Sequence, residues 1–263
     1  MRYWFLAFAL AGCVSTAPPA ETTDPQVIET LPFNLFGCDM LLAGATPNFA
    51  DVAHLVPPGY EPADAAQFLD LPAPVERALV AVLIGKCDSF EEQSPLGITT
   101  GWVLIEPPLI DGGPSGDALN FYQVYSATDS HEARAHLDKV DWRTNQANIS
   151  FNSGSTGGQI TASVSDANIG LSLSALRTSQ TTPLDDARTF RLWERHESGT
   201  QLLELSENSP GELSRGTCVV QPGSWSETVL GTACDDFGQS LLYFPLFDAN
   251  FPSRVSVYPT EPR

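Results

Sequence analysis

Short stretches in which apolar and polar residues alternate dominate this chain, and such alternation is typical of β-strands with one buried face. In one of them, Ile169, Leu171 and Leu173 alternate with polar residues. The stretches with strand character are 78–87, 101–106, 119–126, 147–153, 159–165, 168–175, 188–195, 201–206, 217–221, 227–230, 239–247 and 254–258. The Gly- and Ser-rich residues 152–158 between two of them predict a hairpin loop. So many short strands predict a mainly β fold, an antiparallel β-sandwich or barrel in a single domain.

Two segments carry helix signals instead. Over residues 130–140 the apolar positions fall on one helical face, Asp129 is placed to cap the first turn, and Glu132 follows three residues later as in a capping box. A second, shorter helix is predicted over residues 48–55, because the prolines that begin at Pro57 cannot continue it. We therefore expect about two short helices beside the strands.

The first residues have the layout of an export signal. Arg2 precedes an uninterrupted apolar run over residues 3–11, which is far shorter than the roughly 20 apolar residues that span a bilayer. The run ends in Leu10-Ala11-Gly12-Cys13, which resembles the lipobox of bacterial lipoproteins. The resemblance implies cleavage before Cys13 and acylation of its thiol, so that acyl chains hold the protein at a membrane. Val14 stands where Asp tends to retain such proteins in the inner membrane, which favours the outer membrane of the cell envelope.

This signal gives the chain an expected organisation in three parts. Residues 1–12 are the lipoprotein signal peptide, and residues 13–30 are the acylated cysteine with a flexible tether rich in Pro and Thr. Residues 31–263 are an acidic, β-rich globular domain. No internal linker is long enough to divide that domain.

Acidic residues strongly outnumber basic ones, at 32 against 13, which gives a formal net charge of −19. Loss of Arg2 with the signal peptide would leave 12 basic residues against 32 acidic ones, about −20. Binding to phosphate backbones needs a basic surface, so nucleic acid is not an expected partner. The expected partners are the membrane, through the lipid anchor, and a small apolar ligand. The chain has neither a phosphate loop nor a dinucleotide fingerprint, and no cofactor is predicted.

The cysteines other than Cys13 are Cys38, Cys87, Cys218 and Cys234, and an even count in an exported chain predicts disulfides. Three pairings are possible. Proximity in sequence favours Cys38 with Cys87 and Cys218 with Cys234, and the second bridge would close a loop of about 15 residues. A zinc site is the alternative, but the chain has no CxxC motif and no histidine near a cysteine.

No metal site is predicted elsewhere. His131 and His136 flank a glutamate as in a zinc-protease helix, but they are five positions apart and that motif needs four. The segment from Asp111 to Asp117 (DGGPSGD) has oxygen ligands that could hold calcium, although as a turn it needs no ion.

Two stretches resemble acetoacetate decarboxylase-like proteins. Residues 51–62 (DVAHLVPPGYEP) are similar to an early segment of that family, and residues 121–137 (FYQVYSATDSHEARAHL) are similar to its middle. The resemblance implies a curved antiparallel β-sandwich or barrel around a small apolar cavity. The family's chemistry needs a lysine whose amine is kept neutral by a second lysine, so that it forms a Schiff base. Here the only lysines, Lys86 and Lys139, are 53 positions apart, so that chemistry does not carry over.

The candidate pocket consists of one lysine and several aromatic residues, each of which would also suit the core of a β-domain. The pocket candidates are Lys86, Trp102, Phe121, Tyr122, Tyr125 and Trp193, and the remaining aromatic candidates are Trp225, Tyr243, Phe244 and Phe247. Strand alternation places Phe121 and Gln123 on one face and Tyr122 and Val124 on the other.

Three hypotheses about function follow. The leading one is a lipid-anchored β-domain that binds a small apolar or amphiphilic molecule without catalysis, since no catalytic residue set is recognised. The second is a decarboxylase-like enzyme that uses Lys86 or a carboxylate. The third is an interaction or structural lipoprotein of the envelope.

Overall fold

The computed structural model describes residues 29–58, 60–67, 77–91, 94–106, 118–155, 157–177, 181–182, 188–196, 199–207, 211–224, 226–227, 240–247 and 251–258. Outside these ranges lie the predicted signal peptide, Cys13, the tether up to residue 28, the Asp111–Asp117 segment, Trp225 and Cys234. For Tyr243, Phe244 and Phe247 the structure describes the strand but not the side chains.

Within the described ranges the chain is mainly β and forms one sheet system of 14 strands. The strands are β1 Glu29–Ala45, β2 Val80–Phe90, β3 Ser94–Leu104, β4 Ala118–Thr128, β5 Asn145–Gln146, β6 Asn148–Asn152, β7 Gln159–Ser165, β8 Gly170–Leu176, β9 Thr181–Thr182, β10 Arg188–His196, β11 Gly199–Glu207, β12 Gly211–Val220, β13 Ser240–Phe247 and β14 Phe251–Tyr258. The helices are α1 Phe49–Val52 and α2 His131–Leu137, with 3-10 turns at Ala53–Leu55, Ala65–Gln67 and Asp138–Val140.

Seven strands close into a barrel in the order β1, β2, β3, β4, β10, β11 and β14, because β14 pairs with β1 as well as with β11. Neighbouring strands are antiparallel except β4 and β10, which are parallel. The barrel interior contains Phe33, Leu79, Trp102, Phe121 and Leu192, which belong to one buried cluster. Residues Ala133 and Leu137 of α2 join this cluster, so the helix packs against the barrel with its apolar face.

A second sheet branches from β1, which is long enough to serve both layers. The first part of β1 pairs with β14 and the later part pairs with β13. The change of partner coincides with Gly37, whose φ of +58° favours glycine. From β13 the sheet continues through β12, β8, β7 and β6.

The second sheet packs on the outer face of the barrel and builds a second core. Residues such as Ile160 and Leu171 of the sheet cluster there with Val82 of the barrel wall. Gly97 allows close approach at one end, because a Cβ there would lie 2.7 Å from Cγ2 of Ile149. The fold is therefore a barrel with a sandwich layer on one side.

The structure confirms a mainly β, single-domain fold with two short helices, the hairpin at residues 152–158 and a disulfide between Cys38 and Cys87. The side chain of Cys218 lies outside the described residues, so its pairing stays a prediction.

Four details differ from the sequence predictions. The sheet is antiparallel as expected except at β4, which pairs in parallel with both β10 and β5. The strand β1 was not predicted, and its first residues, 29–30, fall in the expected tether. Ser130 rather than Asp129 caps α2, its Oγ accepting the N–H of Ala133 at 3.2 Å. Glu227 lies in a helical turn and not in a strand.

Candidate functional site

A cleft opens in the barrel wall where β4 changes partner. The parallel pairing of β4 with β10 ends at Tyr122, and its parallel pairing with β5 begins at Ala127. The residues of β4 between these points border a cleft of about 530 Å³. Its lining residues are Leu55, Tyr122, Gln123, Val124, Tyr125, Ser126, Asp138, Asp141, Trp142, Arg143, Thr144, Asn145 and Glu194. Most of them are polar, in contrast to the expected apolar cavity.

A bulge in β4 decides which side chains reach this cleft. Gly101 of β3 pairs with Tyr125 and the next residue pairs with Gln123, so Val124 is the extra residue. As a result Tyr122 and Tyr125 both join the outer core, whereas strict alternation would put them on opposite faces. The bulge thereby brings two tyrosines to one side of the cleft.

The most buried ionisable group of the cleft is Glu194 on β10, which is 2 % exposed. Its Oε1 lies 3.3 Å from Nε of Arg143, and its Oε2 accepts the backbone N–H of Arg143 at 3.3 Å. Gln123 donates from Nε2 to Oε2, also at 3.3 Å. Arg143 is itself largely exposed and donates from Nη2 to the carbonyl of Arg195. The pair therefore joins a buried carboxyl group to a guanidinium at the mouth of the cleft.

A chain of buried hydrogen bonds fixes the orientation of Gln123. Trp102 donates from Nε1 to Oγ1 of Thr100 at 2.7 Å. The Thr100 hydroxyl has two acceptors within reach, Oε1 of Gln123 at 3.1 Å and the carbonyl of Tyr125 at 3.2 Å. Because the amide oxygen of Gln123 is engaged in this way, its NH2 group faces Glu194. Trp102 thus helps to position Gln123 through its hydrogen bond to Thr100.

Burial raises the pKa of Glu194 from 4.5 to about 8, although the positive charge of Arg143 and the hydrogen bonds from Arg143 and Gln123 act to lower it. Near neutral pH the protonated form predominates, and a substantial carboxylate fraction is present as the pH approaches 8. A carboxyl group with such a pKa can both accept and donate a proton in this range.

The two cleft tyrosines are held in their neutral forms. Burial raises the pKa of Tyr122, and the nearby Glu194 adds to this effect. Burial also raises the pKa of Tyr125, whose hydroxyl donates to Oδ2 of Asp166 at 2.5 Å. The ring of Tyr122 lies 5.0 Å from that of Tyr60, between ring centroids, which packs the turn after α1 against this wall.

The structure brings together only part of the predicted pocket. Tyr122 and Tyr125 line the cleft. Phe121 is in the barrel interior with its ring 5.6 Å from that of Trp102, and Trp193 is buried in the outer core with its Nε1 donating to Asn120. Lys86 is exposed on β2 and is not part of the cleft.

Four polar residues of the cleft were not among the predicted site residues: Gln123, Arg143, Thr144 and Glu194. The sequence did contain a signal for Glu194. Phe190, Leu192 and Glu194 are spaced two residues apart, so Glu194 lies on the same inward face of β10 as the two apolar residues. Arg143 and Thr144 follow α2 in an irregular segment and carry no such pattern.

Within the described ranges no group of three or more His, Cys, Asp or Glu side chains is arranged to hold a metal ion. His136 accepts or donates a 2.7 Å hydrogen bond with the carbonyl of Pro32, depending on its tautomer, and its ring packs edge-on against Phe90. In the same ranges no helix combines the length and apolar character needed to cross a membrane.

Solved structures with a similar fold are found. An acetoacetate decarboxylase matches with a TM-score of 0.55 and 9 % identity, covering 88 % of this chain and 91 % of that one. The acetoacetate decarboxylase of Legionella pneumophila matches with a TM-score of 0.54 and 9 % identity, covering 97 % and 96 %. The chain has an acetoacetate decarboxylase-like fold.

A third structure with this decarboxylase-like fold is the enduracididine biosynthesis enzyme MppR complexed with pyruvate. It has a TM-score of 0.52 and 14 % identity to this chain, with 92 % of each chain covered. The sequence matches no protein-family model, and no curated protein matches it significantly. The similarity is thus one of fold, which agrees with the resemblance seen in residues 51–62 and 121–137.

Proposed function

We propose that this protein is an acid–base enzyme that removes a proton from the carbon next to a carbonyl group of a small oxo acid, with Glu194 as the base. The observation that carries the proposal is the buried carboxyl group of Glu194 at the cleft, with its pKa raised to about 8 and a guanidinium beside it. Supporting it is the decarboxylase-like fold, in which MppR is complexed with pyruvate.

The cleft supplies the groups that such a step needs. Arg143 uses two of its five N–H groups on Glu194 and Arg195, so others remain to hold a substrate carboxylate. Among the described residues that line the cleft, Arg143 is the only cationic side chain, and it lies beside the acids Asp138 and Asp141, which favours a ligand with a single negative charge. A carboxylate whose pKa is about 8 is a stronger base than an ordinary glutamate.

Schiff-base chemistry is not part of the proposal. Lys86 and Lys139 are the chain's only lysines; both are exposed, and neither is among the residues that line the cleft. Proton transfer therefore takes place on the free oxo acid. The Glu194 carboxylate takes a proton from the carbon and the substrate becomes an enolate. Glu194 then exchanges that proton with solvent and returns a solvent proton to the carbon, which restores both the oxo acid and the base.

We predict that the protein exchanges the methyl protons of pyruvate in D2O, measured by loss of the proton NMR signal. The exchange rate should rise with pH and level off above about pH 8, because the carboxylate of Glu194 is the reactive form. Glu194→Gln should slow exchange by at least about 100-fold, since an amide cannot accept the proton.

Glu61→Gln is the matched control, because Glu61 is an exposed glutamate outside the cleft lining. This variant should exchange the pyruvate protons at the wild-type rate. A protein-dependent rate that is unchanged in Glu194→Gln would refute the role of Glu194. Pyruvate binding without any exchange would favour the non-catalytic binding protein, which the cleft also suits.

We also propose that this domain is anchored by acyl chains on Cys13 at a membrane of the cell envelope. Support comes from the lipobox-like Leu10-Ala11-Gly12-Cys13 and from the buried Cys38–Cys87 disulfide, which fits an oxidising compartment. The wild-type protein should sediment with membranes and carry the mass of an acylated cysteine, and Cys13→Ser should be released in soluble form. Sedimentation of Cys13→Ser with membranes would contradict the anchor.

A further inference from the structure

The carboxyl group of Glu194 is surrounded by hydrogen-bond donors. Nε of Arg143 lies 3.3 Å from its Oε1. Its Oε2 accepts the backbone N–H of Arg143 and Nε2 of Gln123, both at 3.3 Å. Among the described residues these are the groups that contact the two oxygens, and all of them are donors. The arrangement therefore suits the carboxylate form of Glu194.

The protonated form of Glu194 has a different requirement. Its O–H is itself a donor and needs an acceptor, which the three contacts do not provide. Glu194 is 2 % exposed, so the group is buried, and leaving a buried donor unpaired costs about 1–3 kcal/mol. The fold should therefore offer an acceptor when Glu194 takes up a proton.

Gln123 can supply this acceptor if its amide turns over. Oγ1 of Thr100 accepts from Trp102 at 2.7 Å and lies 3.1 Å from Oε1 of Gln123. It also lies 3.2 Å from the carbonyl of Tyr125, so its single hydrogen has two possible acceptors. After the turn, the NH2 group of Gln123 would donate to Thr100, and Thr100 would donate to Tyr125. The amide oxygen of Gln123 would then face Glu194, and because the two ends of an amide are nearly alike in size, neighbours need not move.

We infer that Gln123 is a positioning residue that serves both protonation states of Glu194, its amide turning over as the carboxyl group gains or loses a proton. The NH2 group donates to the carboxylate, and the amide oxygen accepts from the protonated acid. The catalytic meaning of this role rests on the proposed function, since a base that takes a proton and returns one needs a partner in both states.

Other charged or titratable groups also face this part of the cleft. The guanidinium of Arg143 stays charged at all relevant pH values, and the pKa of Tyr122 on β4 is raised by burial, which keeps it neutral. Asp138 and Asp141 belong to the same lining. A Glu194→Gln variant keeps all of these groups and removes only the titration of Glu194, so it is the matched control.

The first test observes the side-chain NH2 signal of Gln123 in 15N-labelled protein at pH 6 and pH 9.5. Its absence from Gln123→Met assigns the signal, and Gln123→Glu serves instead if that variant does not fold. In the wild type the nuclear Overhauser effect between this NH2 group and the side chain of Thr100 should be strong at pH 6 and weak at pH 9.5. In Glu194→Gln it should be the same at both pH values. An effect that is constant in the wild type, or that changes equally in Glu194→Gln, would overturn the inference.

The second test uses Gln123→Met in the pyruvate exchange assay, because methionine has a similar length and no amide. Exchange should slow about tenfold at every pH, with a midpoint within about half a pH unit of the wild type, since both forms of Glu194 lose a partner. A fixed amide that served only the carboxylate would instead give a midpoint raised by about one unit in this variant, which would contradict the turn.

The two tests separate this inference from the proposed function. If the wild type shows the pH-dependent change at Thr100 but does not exchange the protons of pyruvate, the proposed function is wrong and the turn of the Gln123 amide stands. If the wild type exchanges pyruvate and the contact with Thr100 does not change with pH, the proposed function stands and this role of Gln123 is wrong.

Discussion

Glu194→Gln is expected to be more stable than the wild type at alkaline pH, by an amount on the order of 5 kcal/mol, and about equally stable near pH 4.5. In the unfolded chain the carboxyl group loses its proton near pH 4.5, whereas burial in the fold raises its pKa to about 8. Between these values the folded state binds more protons than the unfolded one, so the stability of the wild type falls as the pH rises. Each pKa unit is equivalent to 1.36 kcal/mol, which sets the size of the effect.

The glutamine variant has no proton to lose and should lack this part of the pH dependence. Urea unfolding of both proteins at pH 4.5, 6.5 and 8.5 gives the difference directly, with the other acids of the chain contributing equally to both. Glu61→Gln again serves as the control, and its stability should follow that of the wild type at every pH. Parallel pH profiles for the wild type and Glu194→Gln would show that folding does not raise the pKa of Glu194, against its assignment as a base with a raised pKa.

The parts of the fold that the sequence predicted are those governed by local pattern. The strand β7 lies at residues 159–165 as expected, because one face is buried and the other is exposed, which produces clean alternation. The helix α2 was predicted from its apolar face and cap, and the cap shifted by one residue to Ser130 because that hydroxyl reaches the N–H of Ala133.

The strand β1 was missed because its sequence lacks a strand pattern. It contains Pro32 and Gly37 and pairs on both edges, so its apolar residues serve two cores instead of one face. The parallel pairing of β4 with β10 was equally unpredictable, since it joins segments some 70 residues apart and no local signal specifies their register.

The same limit applies to the site. Gln123, Arg143 and Glu194 come from three separate parts of the chain, and their meeting depends on the β4 bulge and on the gap between β10 and β5. The alternation of β10 could identify Glu194 as an inward-facing acid. Only the tertiary structure shows that Arg143 lies beside it and that the candidate Lys86 lies on the outside.

Removing the Cys38–Cys87 disulfide is expected to lower the free energy of unfolding by about 4 kcal/mol. The bridge links directly paired residues of β1 and β2, and both cysteines are fully buried. Their sequence separation of 49 means that the bond restricts a loop of about 50 residues in the unfolded chain, which corresponds to about 4 kcal/mol in the chain-entropy model. Because β1 and β2 are also joined by a long run of strand pairs, the variant should keep its fold and lose stability only.

The measurement needs a protein in which this bridge is the only disulfide within the domain. In a Cys218→Ala/Cys234→Ala background, urea unfolding with and without dithiothreitol should differ by the full effect. Adding Cys38→Ala and Cys87→Ala to that background should lower the stability to the reduced value and abolish the response to dithiothreitol. Identical unfolding with and without reductant in the first protein would contradict the expected contribution of the bridge. It would mean that strand pairing, and not the covalent link, holds the long strand β1 to the barrel wall from which the cleft is built.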